Sequence, residues 1–230
     1  SVTLLARDTD ALAKALTELD TSKGQQHRSI AIDLSDTAAL RSAIEAHVAA
    51  NGPVDILVNN TGGPPPGLAH AAEPAAYEKA FRQHLMAFQT LVRAIVPGMK
   101  ERRSGRIINI ISTSVKVVLP NLGVSNTIRG AVAQWSKTLA NELGPWNITV
   151  NNVLPGATGT GRLKAIIANK SAKASISEDE AAQEMKKEIP LRRFAEPEEL
   201  AAAICFLAGP SAAYISGINL PVDGGRTACL

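Results

Sequence analysis

Six short apolar segments, near residues 2–6, 29–33, 54–58, 106–111, 148–153 and 218–222, recur along the chain with helical sequence between them. Their apolar residues run on with little alternation, the mark of strands buried on both faces, and such strands belong to parallel sheets covered by helices. The intervening segments carry the complementary pattern. Asp8 and Thr9 can cap a helix whose Leu12, Ala15, Leu16 and Leu19 fall at helical spacing. Leu40, Ile44 and Val48 line one face of a helix over residues 36–50, which Gly52 stops. Helical sequence also runs up to about residue 102, from 125 to 143, and from Pro197 to 207, where proline holds its favoured first position. Right-handed crossovers then give an α/β chain with a Rossmann-type doubly wound parallel sheet. No linker or internal repeat interrupts it, so residues 1–230 read as one domain.

A dinucleotide-binding sheet of this kind ordinarily opens with a strand, a Gly-rich turn and a helix. No G-x-G-x-x-G occurs here; Gly156, Gly159 and Gly161 cluster after a late strand at the wrong spacing. The chain enters the pattern at what reads as its second strand. The expectation is that a first strand–turn–helix unit of roughly 30 to 40 residues is lacking, its strand belonging between those near Val2 and Val54. A sheet buried on both faces cannot omit an interior strand without exposing apolar surface and unpaired backbone. Loss of the unit from the sequence is therefore expected rather than its natural lack.

Composition removes several function classes. With 45% hydrophobic and 20% charged residues the chain is globular rather than disordered. A net charge of +3 from scattered basic residues, with 3% aromatics, argues against a nucleic-acid partner. No apolar run is long enough to span a membrane, and no charged-then-apolar leader precedes the first strand, so a soluble cytoplasmic protein is expected. Cys205 and Cys229 lack metal-ligand spacing and read as intracellular thiols, Cys205 on the apolar face of a helix. His27, His47 and His70 show no ligand spacing either, so no metal is expected.

The chemistry-bearing motifs lie at the carboxyl ends of the strands, where open α/β sheets bind ligands. They are Asp33-Leu34, Asn59-Asn60-Thr61-Gly62, Ser112 at the end of Asn109-Ile110-Ile111-Ser112, and Pro155-Gly156 with Thr160, followed by Val222-Asp223-Gly224-Gly225. In order and spacing they resemble the short-chain dehydrogenase/reductase family, within it the 3-oxoacyl-carrier-protein reductases, over residues 1–230. The resemblance implies that Asp33, with Leu34, meets the adenine of a dinucleotide. It implies that Asn59, Asn60, Thr61 and Gly62 stabilise the central sheet and line the cofactor site. Pro155, Gly156 and Thr160 would close over the nicotinamide side. Singly, Asn59-Asn60 is also a turn pair and Pro155-Gly156 a bend; together in register they favour the site.

Arg7 follows the first strand, where the adenosine ribose would lie. An acidic residue there accepts from a 2′-hydroxyl, whereas arginine pairs with a 2′-phosphate. NADP(H) is therefore expected ahead of NAD(H), unless Arg7 is a solvated strand-end residue balanced by Asp8.

The catalytic positions depart from the family. Its centre is a serine that binds the substrate oxygen, a tyrosine thirteen residues on that transfers the proton, and a lysine four beyond that lowers the tyrosine pKa and holds the ribose. An asparagine on an earlier helix orders a water relay. Counted from Ser112, the tyrosine position is Ser125 and the lysine position Arg129; counted back from Pro97-Gly98-Met99, the asparagine position is His84. No Y-x-x-x-K occurs, since Tyr77 and Tyr214 are followed four residues on by Phe81 and Ile218. A serine hydroxyl is a far weaker acid than a phenol of pKa about 10. Arginine stays protonated and can hold hydroxyls or phosphates but not shuttle protons. Lys116 and His84 are the remaining titratable groups that desolvation could bring into a working range. Each can equally be ordinary, a solvated loop lysine and a helix residue.

The leading expectation is an NADP(H)-dependent short-chain oxidoreductase acting on a small-molecule carbonyl or alcohol by hydride transfer, with an atypical proton donor. A catalytically silent dinucleotide- or metabolite-binding oligomer is the first alternative. The second is a cofactor-free relative of halohydrin dehalogenase type, which carries arginine at the lysine position but keeps the tyrosine. The resemblance implies a homo-oligomer, dimer or tetramer, paired through the helices over residues 77–102 and 125–143. Their Ala and Leu faces equally fit burial on the sheet. Residues 159–189 would form a substrate lid, where Lys164, Lys170, Lys173 and Lys186 either attract an anion or are simply solvated.

Overall fold

The computed structural model describes residues 1–229. Its strands are β1 (Thr3–Ala6), β2 (Arg28–Ala31), β3 (Ile56–Asn59), β4 (Gly105–Ile110), β5 (Ile148–Pro155) and β6 (Asn219–Val222). Between them lie α1 (Thr9–Thr17), α2 (Thr37–Asn51), α3 (Pro74–Phe81), α4 (Ala87–Arg102) and α5 (Gly123–Leu143). After β5 come α6 (Gly161–Ala174), α7 (Glu178–Lys187) and α8 (Pro197–Ala208). Local chemistry sets the boundaries. Asp8 and Asp36 cap α1 and α2 by accepting from the Ala11 and Ala39 amides, and Ser177 with Glu180 forms a capping box on α7. Pro74 and Pro197 occupy first helical turns, where no amide is needed.

Every strand pairing is parallel, so the α/β reading and its Rossmann-type architecture stand, but the strands hydrogen-bond in two groups. β1 pairs only with β2, and β3-β4-β5-β6 form a second sheet. The break falls between β1 and β3, the position at which the sequence reading placed the lacking strand. Leu5 on β1, together with Ile32 and Leu34, still packs against the main core, which Phe88, Met99, Ile107, Val132, Ile148 and Val150 help to fill. Burial of that apolar surface, about 25 cal/mol per Å2, is what holds the helices to the sheet. β3 is covered on one face only. Leu57 and Asn59 are buried while Ile56 and Val58 remain 45% and 44% exposed.

A row of asparagines crosses the four-stranded sheet at one level. Asn59, Asn109, Asn152 and Asn219 are register partners from β3 to β6. Asn59 Nδ2 donates to Asn109 Oδ1 at 2.8 Å, Asn109 Nδ2 to Asn152 Oδ1 at 3.1 Å, and Asn152 Nδ2 to Asn219 Oδ1 at 2.8 Å. Ser136 of α5 joins from above, accepting from Asn109 at 2.6 Å and donating to Asn152 at 2.7 Å. Buried amides need such partners, and the row supplies them to all but one atom, the Asn59 Oδ1.

Two expectations change. The helix over 77–102 is not one regular α-helix, because a π turn at Arg82–Met86 joins α3 to α4. Cys205 does not sit on the apolar side of its helix. Ile204, Leu207 and Ala208 turn inward from α8, which leaves Cys205 exposed beside Phe206. Among the described residues no helix is long and apolar enough to cross a membrane.

Candidate functional site

The strand ends, with α5, deliver the proposed residues in three groups. The first is built on α5. Arg129 is 6% exposed, and its Nη1 donates to the Ile110 carbonyl at 2.9 Å while Nη2 donates to the Thr61 carbonyl at 3.3 Å. The guanidinium thereby ties the ends of β4 and β3 together. Burial, and then the charge of Arg162, depress its pKa to about 10, which still leaves it cationic at neutral pH.

His84 lies in the π turn and is fully buried. Its Nδ1 is hydrogen-bonded to Thr61 Oγ1, and its Nε2 has no partner. Desolvation first, and the Arg129 charge second, bring the imidazole down to about 3. The shift carries His84 below the working range in which it was expected to move a proton, so its imidazole is uncharged at neutral pH. π turns insert an extra residue into a helix and recur at functional sites; here the turn carries the imidazole to the Thr61 loop.

Ser112 follows β4, half-buried, and its Oγ accepts from the Ser114 amide at 3.1 Å, so the hydroxyl proton is left to donate elsewhere. Lys116 closes the 3₁₀ turn Thr113–Val115 four residues on and is half-buried. Ser125 is buried near the start of α5, one turn before Arg129.

The second group surrounds β5 and β6. Gly156 donates its amide to the Val222 carbonyl at 2.9 Å. A Cβ placed on Gly156 would come within 2.6 Å of the Asp223 Cα, so only glycine lets the Pro155-Gly156 bend approach the Asp223 backbone. Asp223 in turn accepts from the Gly225 and Thr227 amides at 3.0 and 2.8 Å. Thr160 is the N-cap of α6, but its hydroxyl is turned to the Thr158 carbonyl and does not cap the helix. Asn60 and Gly62 are exposed on the loop after β3, where the Gly62 carbonyl accepts from Gln83 at 3.3 Å.

The third group, Arg7 and Asp33, stands at the ends of β1 and β2. Their ion pair is long, 3.9 Å, and exposed, with 76% of the Arg7 side chain in solvent. Asp33 is held below the usual carboxylate range chiefly by its hydrogen bonds from the Ser35 hydroxyl and amide, at 2.7 and 2.8 Å, with Arg7 a smaller influence. Leu34 turns its side chain to the core.

The first and second groups meet through a residue absent from the sequence reading. Arg162, in the first turn of α6, lays its guanidinium on Gly63, where a Cβ would stand 2.9 Å from Nη2. Nothing in the sequence marks it, since the contact joins residues 99 positions apart. Two cavities, of about 260 and 360 Å3, lie to the other side of Ala157, under α6, α7 and the Asp223–Gly225 turn. Val222 to Gly225 line the first and Lys170 the second, but Arg7, Asp33, Asn59, His84, Ser112, Ser125 and Arg129 line neither. The arrangement at the strand ends can hold a substrate oxygen at Ser112 and fixed positive charge at Arg129 and Arg162. It places no phenol beside them.

The family model described as "Enoyl-(Acyl carrier protein) reductase" matches residues 1–227. The 3-oxoacyl-[acyl-carrier-protein] reductase FabG of Vibrio cholerae is 31% identical over 204 residues, 88% of this chain and 78% of that protein. A Xanthobacter autotrophicus protein named inactive 2-(S)-hydroxypropyl-CoM dehydrogenase 2 is 30% identical over 227 residues, covering 99% of this chain and 95% of its own. The structure of L-sorbose reductase from Gluconobacter frateurii, complexed with NADPH and L-sorbose, superposes with a TM-score of 0.92 at 30% identity, over 99% of this chain and 87% of that one.

Proposed function

The chain belongs to the short-chain dehydrogenase/reductase family, and on that premise we propose that it is an NADP(H)-dependent oxidoreductase interconverting a small-molecule carbonyl and its alcohol. The observation that carries the cofactor choice is Arg7, whose guanidinium is 76% exposed and engaged only by the long contact to Asp33. It is free to take a 2′-phosphate in a charge-assisted bidentate pair. Asp33 and Leu34 would flank the adenine, Asn59 to Gly62 and Pro155 to Thr160 the rest of the dinucleotide, and Arg129 the ribose hydroxyls. NADP(H), when bound, supplies or accepts the hydride.

The chain's own residues manage the oxygen and the proton. Ser112 would hold the substrate oxygen by a hydrogen bond from its hydroxyl, whose oxygen already accepts from the Ser114 amide, and would keep its proton. His84 is uncharged and Arg129 keeps its proton, which leaves Lys116 as the donor. A panel of ketones and aldehydes tests the reading. NADPH is consumed with at least one of them, Ser112→Ala and Lys116→Met each lower kcat tenfold or more, and NADPH binding is unchanged in both. Failure of every carbonyl to consume bound NADPH would sink it.

That failure would favour the silent binder. Ser125 and Arg129 in place of the tyrosine and lysine support this second reading, as does the likeness to the Xanthobacter protein whose name marks it inactive.

A further inference from the structure

The cavity of about 360 Å3 lies beyond Ala157, between α6, α7 and the tail that follows β6. Its volume falls within the roughly 300–1,000 Å3 of small-molecule sites. Pro120, Ile166, Met185 and Ile189 give it apolar walls, and Lys170, Glu188 and Arg226 bring the charges. Each cation there already has a counter-ion. Lys170 pairs with Glu184 at 2.9 Å, joining α6 to α7, and Arg226 pairs with Glu188 at 2.6 Å, joining the tail to the end of α7. Lys170 is thus neither a free anion trap nor simply solvated.

Two chain segments tie this cavity to Lys116. The loop runs on from Lys116 as Val117-Val118-Leu119-Pro120, so four residues lead from the lysine to the cavity wall. Val117 and Val118 on that path are exposed, Val118 at 73%. From the other side, Arg226 stands at the cavity, and Cys229, three residues on, donates from Sγ to the Lys116 carbonyl at 3.7 Å. Three residues reach about 10 Å when extended, so the cavity lies within the length of a small molecule of Lys116.

Burial of a carboxylate is costly unless an unengaged partner awaits it. Here an incoming carboxylate finds Lys170 and Arg226 already neutralised, and Glu188 repels it. An uncharged alkyl chain meets apolar walls and displaces nothing. We propose that this cavity takes the apolar end of the substrate, and that Glu188, by neutralising Arg226, selects against substrates that end in a carboxylate. The substrate class is thus a neutral carbonyl compound or alcohol with an apolar tail, which rests on the oxidoreductase reading above.

Met185 offers a readout that does not need turnover. The chain has three methionines, Met86, Met99 and Met185, so the whole protein labelled with carbon-13 at the methionine methyls gives one signal for each, and Met185→Leu identifies the one from the cavity. With NADP+ present, octan-2-one shifts the Met185 signal saturably and leaves that of Met99, in the core, unmoved. It binds at least tenfold tighter than butan-2-one, since each buried methylene is worth about fourfold. The same methyl ketone ending in a carboxylate, 7-oxooctanoate, binds at least tenfold more weakly. Glu188→Gln, at an exposed position, narrows the gap between octan-2-one and 7-oxooctanoate at least threefold. A Met185 signal that octan-2-one leaves in place, 7-oxooctanoate that binds as tightly as octan-2-one, or a gap that Glu188→Gln leaves unchanged overturns the proposal. NADPH consumed with octan-2-one while the Met185 signal stays unmoved overturns the cavity and keeps the oxidoreductase reading. A Met185 shift of this selectivity in a protein that consumes no NADPH with any carbonyl keeps the cavity and removes that reading instead.

Discussion

Arg129 donates from Nη2 to the carbonyl of Thr61 at 3.3 Å, so a side chain of α5 fastens the loop that leaves β3. Its other amino group reaches the Ile110 carbonyl at the end of β4. Removal of the guanidinium strands two acceptors in a buried place. Arg129→Met is expected to lower stability by about 2–4 kcal/mol, from the usual loss per hydrogen bond to a charged group. Arg129→Lys, which keeps a charge and one donor at reach, loses less. Urea unfolding of the two variants against the parent measures the difference; equal losses would contradict the two-carbonyl account.

His84 predicts a pH dependence. Its folded pKa is about 3 against an ordinary value of 6.5, lowered by burial and then by Arg129. Between those values the unfolded chain takes up a proton that the folded one refuses. Stability is therefore complete above pH 6.5 and falls as the pH drops toward 3, at about 1.4 kcal/mol per unit. His84→Asn is expected to flatten that slope in unfolding curves taken from neutral to acid pH. A ring proton signal that titrates near the ordinary histidine value would refute the burial argument.

The asparagine row predicts unequal costs. Asn109 donates to two partners and accepts from a third, whereas Asn59 ends the row with its Oδ1 unpaired. Asn109→Ala should cost about 2–4 kcal/mol and Asn59→Ala about 1 kcal/mol. A double-mutant cycle at the two positions should return a coupling of about 1 kcal/mol, and a coupling of zero would show that the row is geometric only.

Gly156→Ala sets a methyl 2.6 Å from the Asp223 Cα, a contact the backbone must relieve. Overpacking of that kind costs about 1–3 kcal/mol. Both β5 and β6 end at this contact, so thermal unfolding should report the loss, while Gly159→Ala, whose nearest neighbour would be 3.5 Å away, should be close to silent.

Arg7 predicts cofactor choice. Arg7→Ala should weaken NADPH about tenfold, the equivalent of about 1.4 kcal/mol, and leave NADH unaffected. Equal loss for the two cofactors would mean that Arg7 does not meet the 2′-phosphate.

The strands and most helices were legible because burial on both faces leaves a continuous apolar signature, and because Asp8, Asp36, Ser177 and Pro197 announce helix starts in their own chemistry. The strand-end placement of Asp33, Asn59, Ser112 and Pro155 followed from the same pattern. The break between β1 and β3 was legible too, because the motif order lacks the strand that belongs there. Two features were not legible. The neutrality of His84 depends on how completely its neighbours exclude water, and the π turn that brings it to Thr61 leaves no periodic trace over five residues. The exposure of Cys205 turned on a rotation of one position along α8, within the uncertainty of any helical wheel. The asparagines at matching strand positions were in plain sight, but their alignment needed the register of all four strands.

In that row every amide points the same way, nitrogen toward β6 and oxygen toward β3. Turning one amide over would set oxygen against oxygen on one side and nitrogen against nitrogen on the other, so the four can reverse only as a set. The sheet therefore carries a built-in polarity at right angles to its strands, with an unclaimed oxygen at the β3 margin. Any group that settles beside Asn59 meets an acceptor whose orientation is enforced from three strands away.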